Sequence, residues 1–237
     1  MKITRIYLIL VLFTSLICQE NQELFNPNNT VIAFDFHGVV ARVSLRGITW
    51  AFFQIPAREI IAAVPSLPFI AGDLVKYWLN NEISEQILDH LAINYPIVKR
   101  LENDVIRMTN QQKPKIYMVH LLKQLKSLGY TLILASNIGE KTLRDLFQNA
   151  TPSMQQTLDL FDKLVTPTHD NGYNFKPHAP YFKELISLYP EKKIVFFDDK
   201  EINRLSAQHH GIYAFDTSNI IATLQGLHIL KNGTTNE

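Results

Sequence analysis

Three aspartates in this 237-residue chain directly follow runs of apolar residues. Asp35 follows "VIAF", and the adjacent Asp198 and Asp199 follow "IVFF". A lone aspartate after a strand is usually a turn or helix-cap residue. Carboxylates held close together, however, need a cation or a proton between them. Three carboxylates from two strand ends therefore predict a site for Mg²⁺, a hard ion that takes a few carboxylates plus water.

A hydroxyl and a lysine accompany these acids. Ser136 and Asn137 follow a third apolar run, "LILA", and supply a hydroxyl and backbone N–H donors. Lys176 adds a positive charge just before Pro177, whose ring stiffens the loop. Together with a carboxylate nucleophile and a divalent cation, these groups indicate phosphoryl transfer. The carboxylate would attack phosphorus, Ser136 and Lys176 would hold the phosphoryl oxygens, and water would then open the acyl phosphate.

The elements that must position these side chains are strands that alternate with helices. Uninterrupted apolar runs that end in polar residues are typical of buried strands. Helical patterns cover residues 117–129 and 180–190, and shorter candidate strands cover 163–167 and 211–215. This alternation predicts an α/β fold with a doubly wound parallel sheet, in which ligands bind beyond the carboxyl ends of the strands.

The chain divides at a long stretch that has no comparable strand. Residues 44–112 carry helical patterns interrupted by prolines, and we interpret them as a smaller, mostly helical cap domain that covers the active edge. The core domain would then consist of residues 26–43 and 113–230. Residues 231–237 are predicted to be a flexible tail.

The N-terminus has the pattern of a targeting segment. Lys2 and Arg5 precede residues 6–17, which carry no charge but are too few to span a bilayer comfortably. Residues 1–25 are therefore predicted to be a signal peptide of an exported protein, periplasmic or secreted, or an uncleaved membrane anchor; a short buried segment is the remaining alternative. Cys18 is the only cysteine, so the mature chain would have neither disulfides nor thiol catalysis.

Composition excludes one class of partner. Lysine and arginine total 23 against 22 acidic residues, with no basic run, so the chain is not predicted to bind nucleic acid. A hydrophobic fraction of 46% is enough to form a substantial core. The predicted partner is a small phosphorylated molecule, and the membrane is a partner only through the N-terminal segment.

In order and spacing, the motifs resemble those of the haloacid dehalogenase-like (HAD) hydrolase superfamily. That family has a strand followed by Asp-x-Asp-Gly, a strand followed by Ser/Thr-Asn, a Lys-Pro with a nearby aromatic residue, and a strand followed by Asp-Asp. The corresponding stretches here are "VIAFDFHGVV", "LILASN", "FKPHAPYF" and "IVFFDDKEIN". The resemblance implies a Rossmann-like core with a cap inserted between the first and second motifs, and a Mg²⁺-dependent phosphatase.

The resemblance also implies roles for single residues. Asp35 corresponds to the nucleophile, Lys176 to the lysine that pairs with nucleophile and phosphate, and Ser136 with the Asn137 backbone to the phosphate-binding pair. The metal ligands would be Asp35, Asp198, Asp199 and the backbone carbonyl of His37. Asn203 would orient the Asp198–Asp199 loop, or would simply be a residue at a helix start.

His37 is the departure from the family pattern, because the phosphatases of the family mostly have an aspartate there as general acid/base. Three interpretations stay open. The imidazole replaces the carboxylate as proton shuttle, for which an ordinary pKa of about 6.5 is suitable. Alternatively, the chain is a dehalogenase- or phosphonatase-type hydrolase with a different leaving group, or it is a catalytically silent binding protein with the same fold.

Overall fold

A computed structural model describes most of the chain. The residues that it describes are 25–44, 46–47, 49, 53–79 and 84–230. Apart from Phe25, the predicted signal peptide or anchor lies outside these residues, and so does the predicted tail. None of the helices in the described ranges has both the length and the apolar character needed to cross a membrane.

The described residues form strands and helices in alternation. The strands are β1 (Thr30–Phe34), β2 (Ala41–Val43), β3 (Gln112–Pro114), β4 (Thr131–Ala135), β5 (Lys163–Val165), β6 (Lys193–Phe197) and β7 (Tyr213–Phe215). The α-helices are α1 (Ala57–Ala63), α2 (Leu67–Leu79), α3 (Ser84–Asn94), α4 (Pro96–Thr109), α5 (Ile116–Ser127), α6 (Glu140–Asn149), α7 (Pro152–Leu158), α8 (Ala179–Ser187), α9 (Glu201–His209) and α10 (Ile220–Gly226). A 3₁₀ helix, Val64–Ser66, joins α1 to α2.

The central sheet is parallel and has the strand order β5-β4-β1-β6-β7. From β1 the chain winds outward through β4 to β5, and then crosses to β6 and β7 on the other side of β1. The order therefore reverses at β1, and the carboxyl end of β1 is the place where ligands bind in such sheets. The predicted doubly wound parallel α/β fold is confirmed.

The apolar strands bury both faces of the sheet. On one face Ile32, Phe34 and Leu132 pack against helices α5, α6, α7 and α10. On the other face, Ala33 and Phe196 pack against α8 and α9. Successive residues of a strand point to opposite faces, so a strand that is covered on both sides needs an unbroken apolar run. That requirement explains why the runs before the polar strand ends contain no charged residue.

Helices α1 to α4 lie between β2 and β3, within the predicted cap. They have a small core of their own, formed by Ala63, Leu91, Ile97 and Val98. The long helical pattern between α3 and α4 breaks at Pro96, which begins α4 because proline suits the first position of a helix. The division of the chain into a cap domain and a core domain stays a prediction.

Two contacts that the sequence does not predict attach these helices to the rest of the chain. The strands β2 and β3 pair antiparallel in a ribbon, so the chain leaves and re-enters the core side by side. In addition, Lys141 of α6 binds Glu102 of α4 at 2.9 Å and also contacts Asp89 of α3. The inserted helices are thereby held against α6, which begins just beyond the end of β4.

The apolar packing on both faces of the sheet leads to a prediction about stability. Leu122 of α5 is fully buried, and its truncation to alanine should lower the free energy of unfolding by about 2–5 kcal/mol, through lost burial and the cavity left behind. The matched control is Leu205→Ala in α9, where the side chain is 54% exposed and the loss should stay within about 0.5 kcal/mol. Urea unfolding of both variants measures the difference, and equal losses would contradict the described packing.

Candidate active site

The backbone of three predicted site residues is held by a neighbouring strand. Each lies one residue beyond its own strand, where its N–H still donates to the next strand along. Asp35 N donates to Phe197 O at 2.9 Å, Ser136 N to Val165 O at 3.0 Å, and Asp198 N to Phe215 O at 3.3 Å. The parallel register therefore places these residues side by side at one edge of the sheet.

Lys176 connects Asp35, which follows β1, with Asp198, which follows β6. Its Nζ lies 2.8 Å from Asp35 Oδ1 and 2.6 Å from Asp198 Oδ2, and it also donates to Ala135 O at 2.8 Å. All three donors of the ammonium are thus used, and its side chain is only 1% exposed. Removing one partner of such a buried ion pair leaves a charge without compensation, so the three side chains depend on one another.

The side chain of Asn137 holds the Lys176 loop in place. Its Nδ2 donates to Lys176 O at 2.7 Å, and its Oδ1 accepts from Lys176 N at 2.8 Å. The Lys176–Pro177 peptide bond is cis. The asparagine of the "LILASN" motif therefore positions the lysine through its side chain, which sequence reasoning did not predict. The contact to substrate that is predicted for Asn137 would be made by its backbone N–H alone.

Asp198 is fully buried and is oriented by the loop that follows it. Asn203 Nδ2 lies 3.1 and 3.0 Å from its two carboxylate oxygens, and Lys200 N donates to Oδ1 at 2.8 Å. Of the two interpretations of Asn203, the structure favours the one in which it orients this loop. A carboxylate with this many donors has a fixed direction, and that direction is toward Asp35 and Lys176.

Three carboxylates meet at this edge of the sheet. Asp35 and Asp198 are buried and Asp199 is exposed, and one oxygen from each lies within 4.8 Å of the other two. Three carboxylates face one ammonium, so two negative charges are left without compensation among these groups. An oxygen-only donor set with this charge fits a divalent hard cation such as Mg²⁺.

Burial and the neighbouring charges shift the pKa of the nucleophile candidate, Asp35. Burial raises the pKa of the Asp35 carboxyl, the Lys176 ammonium lowers it, and the neighbouring Asp198 carboxylate raises it again. The net direction is upward. A cation bound between the carboxylates would oppose this shift, because it favours their ionised form.

Gly38 lets Asp199 reach the site. Its φ is +79°, a conformation that favours glycine, and a Cβ built on it would overlap the Asp199 carboxylate. The loop between Asp35 and Gly38 thus passes directly beneath the third carboxylate. This is a physical reason for the glycine in the "DFHG" segment that follows β1.

His37 stands on the same loop and has a partner that the sequence did not reveal. Its Nδ1 lies 2.6 Å from Nε2 of Gln112, the buried first residue of β3. The residue is solvent-exposed overall, but enough of the chain surrounds the ring to lower its pKa. Desolvation is the main cause, and it outweighs the opposing effects of Gln112 and Asp35. The two residues are 75 positions apart, which is why no local pattern could have found the pair.

Ser136 is fully buried beside these groups, and its Oγ accepts from Ile138 N at 3.3 Å. The structure therefore brings together all the predicted site residues: Asp35, His37, Ser136, Asn137, Lys176, Asp198 and Asp199. Their chemical roles stay predictions. The residues that sequence reasoning missed are Gln112 and, in its role of holding the loop, the side chain of Asn137.

Comparison with known proteins finds similarity in structure and none in sequence. No protein-family model and no curated protein matches the chain. Among solved structures, the chain is similar to the HAD-hydrolase YfnB from Bacillus subtilis bound to magnesium, with a TM-score of 0.58 and 11% identity over 84% of this chain and 99% of that one.

Two further structures show the same likeness. The magnesium complex of the HAD family enzyme bt-2542 from Bacteroides thetaiotaomicron has a TM-score of 0.52 and 19% identity over 79% of this chain and 92% of that one. L-2-haloacid dehalogenase from Xanthobacter autotrophicus has a TM-score of 0.52 and 16% identity over 87% of this chain and 84% of that one. Likeness at such identities establishes a shared fold.

The contact between Gly38 and Asp199 predicts a defect in metal binding. Gly38→Ala should lower stability by about 1–2 kcal/mol through left-handed backbone strain. It should also weaken Mg²⁺ binding about tenfold or more, because the new Cβ displaces a carboxylate from the donor set. Calorimetric titration with MgCl₂ measures the second effect.

Gly211→Ala is the matched control. Gly211 has nearly the same φ, +80°, but no atom lies within 4 Å of an added Cβ. It should show the strain without the loss of Mg²⁺ affinity. Unchanged Mg²⁺ binding in Gly38→Ala would remove Asp199 from the site.

Proposed function

This chain has the HAD-like fold, and on that premise we propose that it is a Mg²⁺-dependent hydrolase of phosphate monoesters that works through an aspartyl phosphate at Asp35. The observation that carries the proposal is the cluster of three carboxylates around a buried lysine at the switch point of the sheet. A silent binding protein would need neither the nucleophile nor its lysine.

The chain's own residues supply a nucleophile of fixed direction. Lys176 holds Asp35 through Oδ1, so the carboxylate does not rotate away from an incoming phosphoryl group. In the first step a carboxylate oxygen forms a bond to phosphorus, the ester P–O bond breaks, and the leaving oxygen takes a proton from His37. The Ser136 hydroxyl and the positive charge of Lys176 stabilise the equatorial oxygens, whose charge changes during the transfer. A direct hydrogen bond from Lys176 to phosphate requires one of its three present contacts to open.

The second step returns the enzyme to its starting state. Water attacks phosphorus, His37 takes a proton from it, and the bond between phosphorus and Asp35 breaks to release inorganic phosphate. Asp35, Asp198, Asp199 and the carbonyl of His37 would hold Mg²⁺, which offsets the repulsion between the carboxylate nucleophile and the anionic substrate when it is bound. Each proton that leaves His37 in the first step is therefore replaced in the second.

The dehalogenase- and phosphonatase-type reactions are less well supported. The chain is similar in fold to a haloacid dehalogenase as well as to magnesium-bound HAD proteins, so the fold does not decide between them. The acidic donor set favours the phosphatase reaction over the dehalogenase reaction, because an anionic phosphate ester that reacts at three carboxylates requires a cation. The proposed substrate is a small phosphorylated molecule. Export or membrane attachment through residues 1–25 is proposed from the sequence pattern alone.

The nucleophile is tested by an isosteric change. Asp35→Asn should abolish hydrolysis of 4-nitrophenyl phosphate in the presence of Mg²⁺, a loss of at least about a thousandfold, because an amide does not attack phosphorus. Asp170→Asn, on an exposed loop residue, is the control and should be fully active. The proposal fails if the wild-type protein turns over no phosphoester with Mg²⁺, or if it hydrolyses a 2-haloacid without metal instead.

The lowered pKa of His37 predicts the direction of a pH effect. His37 has given up its proton once the aspartyl phosphate has formed, and burial, which lowers its pKa, favours the neutral imidazole that serves as base toward water in the second step. The kcat for 4-nitrophenyl phosphate should therefore fall at low pH, with a limb that lies below the ordinary histidine pKa of about 6.5, where the ring takes up a proton. Initial rates between pH 4.5 and 8 measure this limb of the profile.

The control for this profile is His37→Ala, which should be slower at neutral pH and should lose the limb. Any limb that persists in this variant belongs to the Asp35 carboxyl, whose pKa is raised. An identical profile in the two proteins would exclude His37 as the proton carrier.

A further inference from the structure

The ring of His37 is fixed from one side by a residue outside the recognised motifs. Gln112 is 7% exposed and is the first residue of strand β3, and its amide Nε2 lies 2.6 Å from His37 Nδ1. Its strand pairs with β2, and His37 itself forms a bridge to Ala41, the first residue of β2. Gln112 is thus carried by one strand of the ribbon, and the loop that carries His37 is bridged to the other strand.

The backbone of the His37 loop is held by other contacts. Gly38 N donates to Ala41 O and Ala41 N donates to Phe36 O, each at 2.9 Å. From the far side, Lys115 contacts Gly38 O through Nζ and donates to Val40 O at 2.9 Å through its backbone N–H. The contact from Gln112 to His37 is made to the ring, so it sets the direction of the imidazole and not the course of the loop.

An imidazole that shuttles a proton must keep its second nitrogen in one state. With Nδ1 facing Gln112, only Nε2 is left to exchange a proton with the substrate or with water. For Nε2 to take up and return that proton, Nδ1 must carry its own proton throughout. In the structure the amide nitrogen of Gln112 faces Nδ1, an orientation that makes Nδ1 the acceptor and leaves the ring proton on Nε2. The two ends of an amide have nearly the same shape, and with the amide turned end for end its oxygen accepts from Nδ1–H.

We propose that Gln112 is a positioning residue whose amide, turned end for end, accepts a hydrogen bond from His37 Nδ1–H through Oε1 and thereby aims the ring Nε2 at the leaving oxygen and at the hydrolytic water. The inference deepens the proposed phosphatase function and rests on it. It gives the ribbon of β2 and β3, which lies between the core and the inserted helices, a part in proton transfer. Partners of this kind set the tautomer and the direction of a working histidine.

Leaving-group dependence separates this role from a structural one. Phenyl phosphate needs its leaving oxygen protonated, whereas 4-nitrophenyl phosphate hardly does. In Gln112→Met, which keeps the length of the side chain without its hydrogen bond, kcat/KM for phenyl phosphate should fall about tenfold or more at one fixed pH. For 4-nitrophenyl phosphate, kcat/KM should change by less than about threefold, while kcat falls because the second step loses its base.

The conservative variant is Gln112→Glu, which keeps an acceptor oxygen at the same distance. It should restore most of the discrimination between the two substrates. An equal loss for both substrates in Gln112→Met overturns the positioning role and leaves the phosphatase proposal standing. A wild-type protein that hydrolyses neither substrate overturns the phosphatase proposal instead.

A spectroscopic measurement tests the assignment without turnover. In the ¹⁵N-labelled, metal-free wild-type protein, the ring nitrogens of His37 should show the Nδ1–H tautomer, with His37→Ala identifying their signals. A mixture of tautomers is expected in Gln112→Met. An Nε2–H tautomer in the wild type overturns the proposal, and this result is obtained even if Gln112→Met does not fold.

Discussion

The ammonium of Lys176, buried between the carboxylates of Asp35 and Asp198, is the interaction on which the site depends. Removing an ion from water costs several kcal/mol, and this cost is offset only where partners of opposite charge are held in good geometry. Here the partners come from the two adjacent central strands β1 and β6, and the lysine from the loop before α8. The two ion pairs of Lys176 therefore require the alignment of β1 and β6, and that alignment holds the ion pairs in good geometry.

The sheet can hold these charges because everything just below them is apolar. Both faces of β1 and β6 are covered, and the ladder of hydrogen bonds continues one residue into the polar tips. The carboxylates thus lie at the border between a rigid apolar layer and solvent. This layer fixes the backbones of buried Asp35 and Asp198, and the left-handed turn at Gly38 leaves room for the exposed Asp199 carboxylate. A site of this kind is largely preorganised before any ligand binds.

Sequence reasoning reached the parts of the site that have a local signature. The apolar runs identify β1, β4 and β6, since a strand covered on both faces tolerates no charge, and the predicted HAD-like fold is confirmed. The parts it missed depend on contacts between distant residues. Asn137 holds the backbone of Lys176 from 39 positions away, and Gln112 reaches His37 from 75. The three-residue strands β2 and β3 are too short for a periodic pattern to be recognised.

The histidine that follows β1 is related chemically to the ribbon of β2 and β3, which the sequence did not predict. An ionised carboxylate accepts at either of its two oxygens, so an aspartate at this position needs no partner to select one of them. An imidazole has two unlike nitrogens, and it can serve as acid and base at Nε2 only while Nδ1 keeps its proton. If His37 carries the proton as proposed, its ring therefore needs an acceptor on the far side. The ribbon places the Gln112 amide at that point, at the junction with the inserted helices, so a change in the position of those helices would also move the partner of the His37 ring.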